Sequence, residues 1–402
     1  MKKLAIGLVA ASIAAPSWAD DVTFKPLLDM RLRWENVDQT GTAKDANAIT
    51  LRARPGFVAS DGAFSVLAEA EGTIALDNRY FSGLNGKTQY PLVADPQNLE
   101  ISRLQIQYRP VKTFAVIVGR QLINIEDQRF VGASGWRQNE QTFDAARVEY
   151  GTPKGFQADL TYAWSVRTIW GSQGTGTRPQ AIRGDNLFAT ASYPTPIGKL
   201  TGFAFLVDQD QGFVSGYKQS SQSYGGRSAG AHALSSLVKL EYAASFARQS
   251  NYGHNPNNYH ADYALAELNA DIAAFKIGGG YEMLGADKGL AYTSFQTPLA
   301  TLHKFQGWAD KFLVTPPNGI QDYYAQAGYG WKKVAGLDAI NALVVYHRFD
   351  SDRLGQHYGN EWDAMVAAKK GRWTATAKFA SYKADSFATD TKKFWLQLEW
   401  AY

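Results

Sequence analysis

The last ten residues, KFWLQLEWAY, put Phe394, Leu396, Leu398, Trp400 and Tyr402 on one face of a strand and Trp395, Gln397, Glu399 and Ala401 on the other. The first face is apolar and aromatic, the second mostly polar, and the chain ends on an aromatic. The same period of two recurs far upstream. Leu28, Met30, Leu32 and Trp34 oppose Asp29, Arg31, Arg33 and Glu35, and Ile49, Leu51, Ala53 and Phe57 oppose Thr50, Arg52 and Arg54. Phe64, Val66, Ala68, Ala70 and Ile74 oppose Glu69, Glu71 and Thr73. The cleanest case sets Phe156, Ala158, Leu160, Tyr162, Trp164 and Val166 against Gln157, Asp159, Thr161, Ser165 and Arg167. A helix brings residues three and four apart together and would mix Gln157 and Asp159 into the apolar face. These segments are strands.

About eighteen such segments begin near residues 27, 48, 64, 100, 114, 142, 156, 186, 199, 224, 237, 261, 272, 321, 338, 360, 373 and 393. The eighth to tenth and the twelfth alternate poorly, so sixteen is the alternative count. Connections alternate in length. Short turns such as 60–63, 109–112, 151–155, 194–198 and 369–372 take turns with long polar loops at 77–98, 122–140, 168–185, 208–222 and 285–319. This asymmetry is that of a transmembrane antiparallel β-barrel with short periplasmic turns and long extracellular loops. A propeller would show a repeat of about 40 residues, and none is found. A sandwich core does not accommodate successive inward arginines, whereas a watery lumen keeps them hydrated or paired. The expected fold is therefore all-β.

Targeting features agree. Lys2 and Lys3 precede an apolar run from Leu4 to Ala15 and a Ser17-Trp18-Ala19 cleavage site, so residues 1–19 read as a cleaved signal peptide. With no linker or composition shift thereafter, 20–402 reads as one barrel domain. Losing two lysines takes the formal charge from +4 to +2 (4 − 2), which gives no bulk basicity for nucleic acid. No cysteine is present, so disulfides and thiolate metal sites are excluded. Aromatics form 13% of residues, enough for girdles at two membrane interfaces. The expected location is the outer membrane of a Gram-negative bacterium. The expected partners are its lipid and lipopolysaccharide, with barrel-assembly machinery engaging the C-terminal strand of a monomer.

With polar faces taken as lumen, the early strands supply Arg31, Arg33, Arg52, Arg54, Arg103, Arg120 and Arg147, with Glu69, Glu71 and Glu149 among their acids. His347, Glu361 and Asp363 follow later. Guanidinium groups recognise carboxylates through two parallel hydrogen bonds and stay charged, so this set suits an anion path. The competing reading is a ladder of Arg–acid pairs that stiffens the wall. Catalysis lacks support: His347 has candidate acids in Glu361 and Asp363, but no nucleophile turn accompanies it. Gly278-Gly279-Gly280 has no following Lys-Ser/Thr and reads as close packing or a strand bend. His260 and Asp262 lie in a solvated loop rather than a metal site. No cofactor is expected.

Several segments resemble the outer-membrane alginate export family. They include Gly119-Arg120-Gln121, Asp127-x-Arg129-Phe130-Val131-Gly132, Trp136-Arg137-Gln138 and Phe143-Asp144. Phe295-Gln296-Thr297, His303-x-Phe305-x-Gly307-Trp308-Ala309-Asp310-x-Phe312, Tyr346-His347-x-Phe349 and Tyr358-Gly359-x-Glu361-x-Asp363 extend the likeness almost to the C-terminus. The resemblance implies an 18-stranded monomer whose electropositive constriction passes an anionic polyuronate outward. By position it implies Arg120, Arg129, Arg137 and Arg147 as that constriction, with Arg129 and Arg137 on a loop able to fold inward. Two other functions compete with export of an anionic saccharide: uptake of small anionic nutrients, and a structural or adhesive barrel plugged by its own loops.

Overall fold

The computed structural model describes residues 22–210 and 216–402; the signal-peptide segment lies outside the described residues. Period-two patterning becomes eighteen strands. They are β1 (Thr23–Gln39), β2 (Ala46–Asp61), β3 (Phe64–Arg79), β4 (Asn98–Val111), β5 (Phe114–Gln121), β6 (Thr142–Gly151), β7 (Gln157–Arg167), β8 (Ala181–Thr195) and β9 (Gly198–Val207). Then come β10 (Ser221–Ala233), β11 (Val238–Asn251), β12 (His260–Ile272), β13 (Phe275–Leu284), β14 (Ile320–Val334), β15 (Leu337–Asp350), β16 (His357–Lys370), β17 (Trp373–Ala384) and β18 (Thr391–Ala401). Each pairs antiparallel with its sequence neighbours, and β18 pairs with β1, with Met30 opposite Trp400 and Leu32 opposite Leu398. Closure leaves no edge strand, which a lipid environment requires because unpaired backbone groups find no water there. The count is eighteen, not sixteen.

Faces follow the alternation. On β18, Leu396 and Leu398 are exposed on the outside, while Trp395 is fully buried on the inside. Outward aromatics gather near the short turns, where Phe24 stacks on Phe57 at 5.0 Å, Phe64 lies 4.7 Å from Tyr108 and Phe275 4.5 Å from Tyr329. A second outward set, including Tyr281–Tyr323 and Tyr346–Trp362, sits toward the long-loop ends. Two girdles bound an apolar belt, as at the two interfaces of a membrane.

The inside is filled by two loops, the first of them the one that the resemblance made able to fold inward. The long loops at 122–141 and 285–319 do not project outward but fold into the barrel, where Ile123, Ile125, Val131, Phe295, Leu299 and Phe312 are buried. They pack against inward-facing Phe143, Phe188, Phe203 and Phe205. Phe130 is the hub, with ring centroids 5.0 Å from Phe203, 5.3 Å from Tyr263 and 5.8 Å from Phe295. The poor alternation of β9 now has a cause: toward its long-loop end Phe203, Phe205 and Val207 make the inner face apolar because the loops cover it, and the outer face is apolar because lipid does, whereas on β8 Phe188 joins them between buried Asn186 and Ser192. Burying each such ring stabilises by roughly 1.5–3 kcal/mol, which holds the loops inside. Val166, expected outward, is buried inside opposite Phe143, because the register breaks between Ala163 and Ser165 and the faces exchange beyond it.

Candidate functional site

The two inner loops meet each other across the lumen. Val131 bridges Leu299, Gly132 N–H donates to the Leu299 carbonyl at 2.9 Å, and Gln141 Nε2 donates to the same oxygen at 3.0 Å. The fit is close: a Cβ added at Gly132 would sit 2.3 Å from Thr301 Oγ1.

Charged side chains of the wall fasten this pair. Arg31 donates to the carbonyls of Gly135, Trp136 and Arg137 at 3.0–3.1 Å, and its Nε pairs with Glu399 at 2.6 Å. Arg33, fully buried, donates to the Trp136 carbonyl at 2.5 Å, to Gln397 and to Asp95. Opposite, Glu361 accepts from Ala309 N–H at 2.6 Å and Asp363 from Trp308 N–H at 3.1 Å. Arg129 on the first loop pairs with Glu282 of β13 at 2.6 Å and donates to Thr297 and Gln306 of the second. Arg137 pairs with Asp310 at 2.6 Å, and Lys393 reaches the same carboxylate oxygen at 2.6 Å.

A relay runs through Asp310. Its Oδ1 lies 2.7 Å from His303 Nδ1, and His303 Nε2 lies 2.7 Å from Lys378 Nζ. The His303 ring stacks on Trp136 at 4.8 Å. Burial pushes the His303 pKa well below 6.5. The contacts fit a neutral ring that donates from Nδ1 to Asp310 and accepts at Nε2 from the lysine.

The sequence-derived residues divide into groups. Arg31, Arg33, Arg52, Arg54, Glu69, Glu71, Arg103, Arg147, Glu149, His347, Glu361 and Asp363 stand on the inner face. Every arginine of the set has a carboxylate partner within 4.0 Å. Arg103 takes Glu69 in two hydrogen bonds of 2.9 and 2.6 Å, and Arg52 and Arg54 share Asp29. Arg147 lies between Asp159 at 2.5 Å and Glu149 at 3.3 Å. His347 takes Asp322 at 2.9 Å rather than Glu361, with Asp363 at 3.8 Å. Arg120 does not belong to the lumen. It is opposite Leu104, itself exposed on the outer face, while Ala115 and Ile117 of the same strand face inward. It forks onto outward Asp144 at 2.7 and 3.1 Å. The polar-means-inward rule misplaced it, because near the strand end the outer face leaves the hydrocarbon and tolerates an ion pair. Arg120, Arg129, Arg137 and Arg147 are thus not one cluster.

Asp95 and Gln306 escaped the sequence reading, whereas Glu282 and Lys378 were expected on the lumen face by alternation but not as fasteners of the loops. All four act between segments distant in sequence, and no local pattern marks Asp95 or Gln306, which lie on loops. Gly278 and Gly280 have a packing cause: a Cβ would fall 1.9 Å from Asn269 Oδ1 and 2.4 Å from Tyr324 Oη respectively.

The crossing loops leave separate cavities. The larger, about 600 Å³, lies between the loops and the inner face of β11–β15. Its lining includes Trp136, Phe305, Trp308, Tyr324, Lys304 and Lys378. A second of about 270 Å³ is lined by Arg109, Arg147 and Lys199 together with Glu126, Glu149 and Asp159. A third, about 530 Å³, lies on the long-loop side beside Pro298, Leu302, Leu313 and Val314.

A closed antiparallel barrel with an apolar belt, two aromatic girdles and a charged, loop-crossed interior defines the class as an outer-membrane β-barrel of the channel type. Residues 27–193, from β1 into β8, match the Alginate export family model. The resemblance read from the sequence is therefore shown over that stretch, while the segments at 295–363 lie beyond the match. No curated protein sequence matches. Among solved structures, Pseudomonas aeruginosa OpdK with vanillate superposes with a TM-score of 0.69 at 13% identity, over 94% of this chain and 98% of that one. P. aeruginosa OccD3 gives 0.69 at 15% identity over 94% and 91%. Acinetobacter baumannii OccAB4 gives 0.68 at 13% over 94% and 98%. At such identities the likeness is one of fold.

Proposed function

We propose that this outer-membrane channel passes small carboxylate-bearing solutes of saccharide size down their gradients, without cofactor or catalysis, as a monomer. The observation that carries the reading is the pairing of the ionisable side chains around the larger cavity. Its acids are mostly engaged: Glu282 by Arg129, Asp127 by Arg227, Asp322 by His347. Two of its cations, Lys304 and Lys378, have no carboxylate within 4.0 Å among the described residues. Loops crossing the lumen favour small solutes over a polymer, and paired arginines keep wall binding weak enough for release. In a passive pore the gradient sets the direction, so uptake and efflux share one structure. Export of a polyuronate is the second reading, favoured by the family match over 27–193.

Liposome swelling separates the two. Monomeric uronate is expected to enter at a rate that oligouronate of four or more rings does not approach. Equal rates favour the polymer reading. In planar bilayers, anions should be preferred at low salt. The preference should fade as the Debye length falls from about 30 Å at 0.01 M to about 3 Å at 1 M. Cation preference at low salt would overturn both readings.

A further inference from the structure

Lys378 of β17 is unusual among the inner-face cations. The residue is 5% exposed, yet it has no carboxylate within 4.0 Å among the described residues, and its one hydrogen-bond contact is His303 Nε2 at 2.7 Å. The ammonium sits 3.7 Å from the Trp308 ring centroid and 4.1 Å from that of Trp136. An ammonium has three N–H donors, and one is used. Cation–π contact offsets part of the desolvation of a buried ammonium, but it offers no acceptor for the remaining donors. Every arginine discussed above, by contrast, is matched to an acid.

The position of this group is as informative as its pairing. Lys378, Trp136 and Trp308 all border the 600 Å³ cavity, whose other walls include Phe305 and Tyr324. Glu267 also lines it, accepting from Tyr324 Oη at 2.6 Å and from Asn269 Nδ2 at 2.9 Å. A bound solute would meet one unmatched cation, flat ring faces beside it, and carboxylate and phenol oxygens farther along the wall.

We propose that Lys378 is the carboxylate seat of a binding subsite for cyclic monocarboxylates. The solute's carboxylate takes the free N–H donors of Lys378, and its ring lies against Trp308 and Phe305. Two sources share that chemistry, a sugar acid and an aromatic acid. Ring hydroxyls, which Glu267 and Tyr324 can engage, distinguish them. The proposal rests on the anionic-solute reading given above and names its binding group.

The test measures binding by calorimetry on the full-length protein in detergent, with glucuronate, benzoate, their methyl esters and glucose as probes. Reversal potentials are recorded on the same preparations in bilayers. The wild type should bind the acids and neither the esters nor glucose. Tighter binding of glucuronate than of benzoate assigns the sugar-acid source, and the reverse order the aromatic one. Lys378→Met should weaken acid binding at least tenfold, and Lys378→Arg should retain most of it. Because Lys378 also touches both inner loops, loss in Lys378→Met alone is not enough. His303→Phe keeps a ring to stack on Trp136 but removes the competing acceptor, and should tighten acid binding about threefold or more. Unchanged binding in Lys378→Met overturns the subsite, as does loss in both Lys378→Met and His303→Phe, which would mark Lys378 as a loop fastener only. An anion-selective channel that fails these binding tests rejects the subsite and leaves the channel reading standing; a cation-selective one rejects the channel reading itself.

Discussion

At the scale of single residues, the arginines do different work from that suggested by their number. Arg31 and Arg33 spend their donors on loop carbonyls, and Arg129 spans both loops and the wall. Arg129 is 1% exposed and its partner Glu282 3%. Removing one member of a buried pair leaves the other charged and unmatched, which costs about 3–5 kcal/mol. Arg129→Gln should therefore lower the urea midpoint of the refolded barrel clearly and disturb the open-channel current. Arg120→Gln is the contrast: its pair with Asp144 is outward and partly exposed, so the change should be below about 1 kcal/mol. Selectivity at low salt should not move with it. A selectivity change in Arg120→Gln would contradict its placement on the outer face.

At the scale of elements, the inner loops behave as a fixed partition rather than a swinging gate, because between them they are fastened to β1, β13, β16, β17 and β18. Gly132 and Thr301 provide a test, since a Cβ at the first would lie 3.2 Å from the Cβ of the second. That is slightly tighter than the roughly 3.5 Å lower end of disulfide Cβ separations, so a small local shift, also needed to clear Gln128, lets a bridge close, and the chain has no other cysteine to compete. In Gly132→Cys/Thr301→Cys, oxidised and reduced channels should conduct alike; a large rise on reduction would show that the loops part during conduction. The fastening should also weaken in acid. Burial holds His303 neutral in the packed state, with its pKa well below 6.5, whereas a released loop protonates it near that value. The released state then binds more protons, so this contribution to packing is full above about pH 6.5 and is lost progressively below it. Current noise should rise between pH 7.5 and 5, and His303→Phe should flatten that dependence.

At the scale of the whole molecule, closure depends on the last strand. Met30 is opposite Trp400, Tyr402 N–H donates to the Leu28 carbonyl at 2.9 Å, and the Arg372 guanidinium lies 4.0 Å from the Tyr402 ring centroid. Deleting Trp400 to Tyr402 should leave the β1–β18 seam short on the short-turn side and abolish heat-modifiable barrel in outer-membrane fractions. Normal assembly of the truncated chain would count against that role for the seam. The sequence by itself determined the strands, their near-correct starts, the alternation of short and long connections, and the closing strand. Each is a local consequence of side chains pointing to opposite faces every second residue, between lipid and a polar interior. Only the tertiary structure decided that 122–141 and 285–319 fill the lumen, that the long-loop end of β9 is apolar on both faces, that Arg120 points outward, and that Lys378 stands unmatched beside Trp308. Those features arise where segments such as Arg129 and Glu282, 153 residues apart, come into contact. The period of a strand carries no information about what lies across the barrel from it.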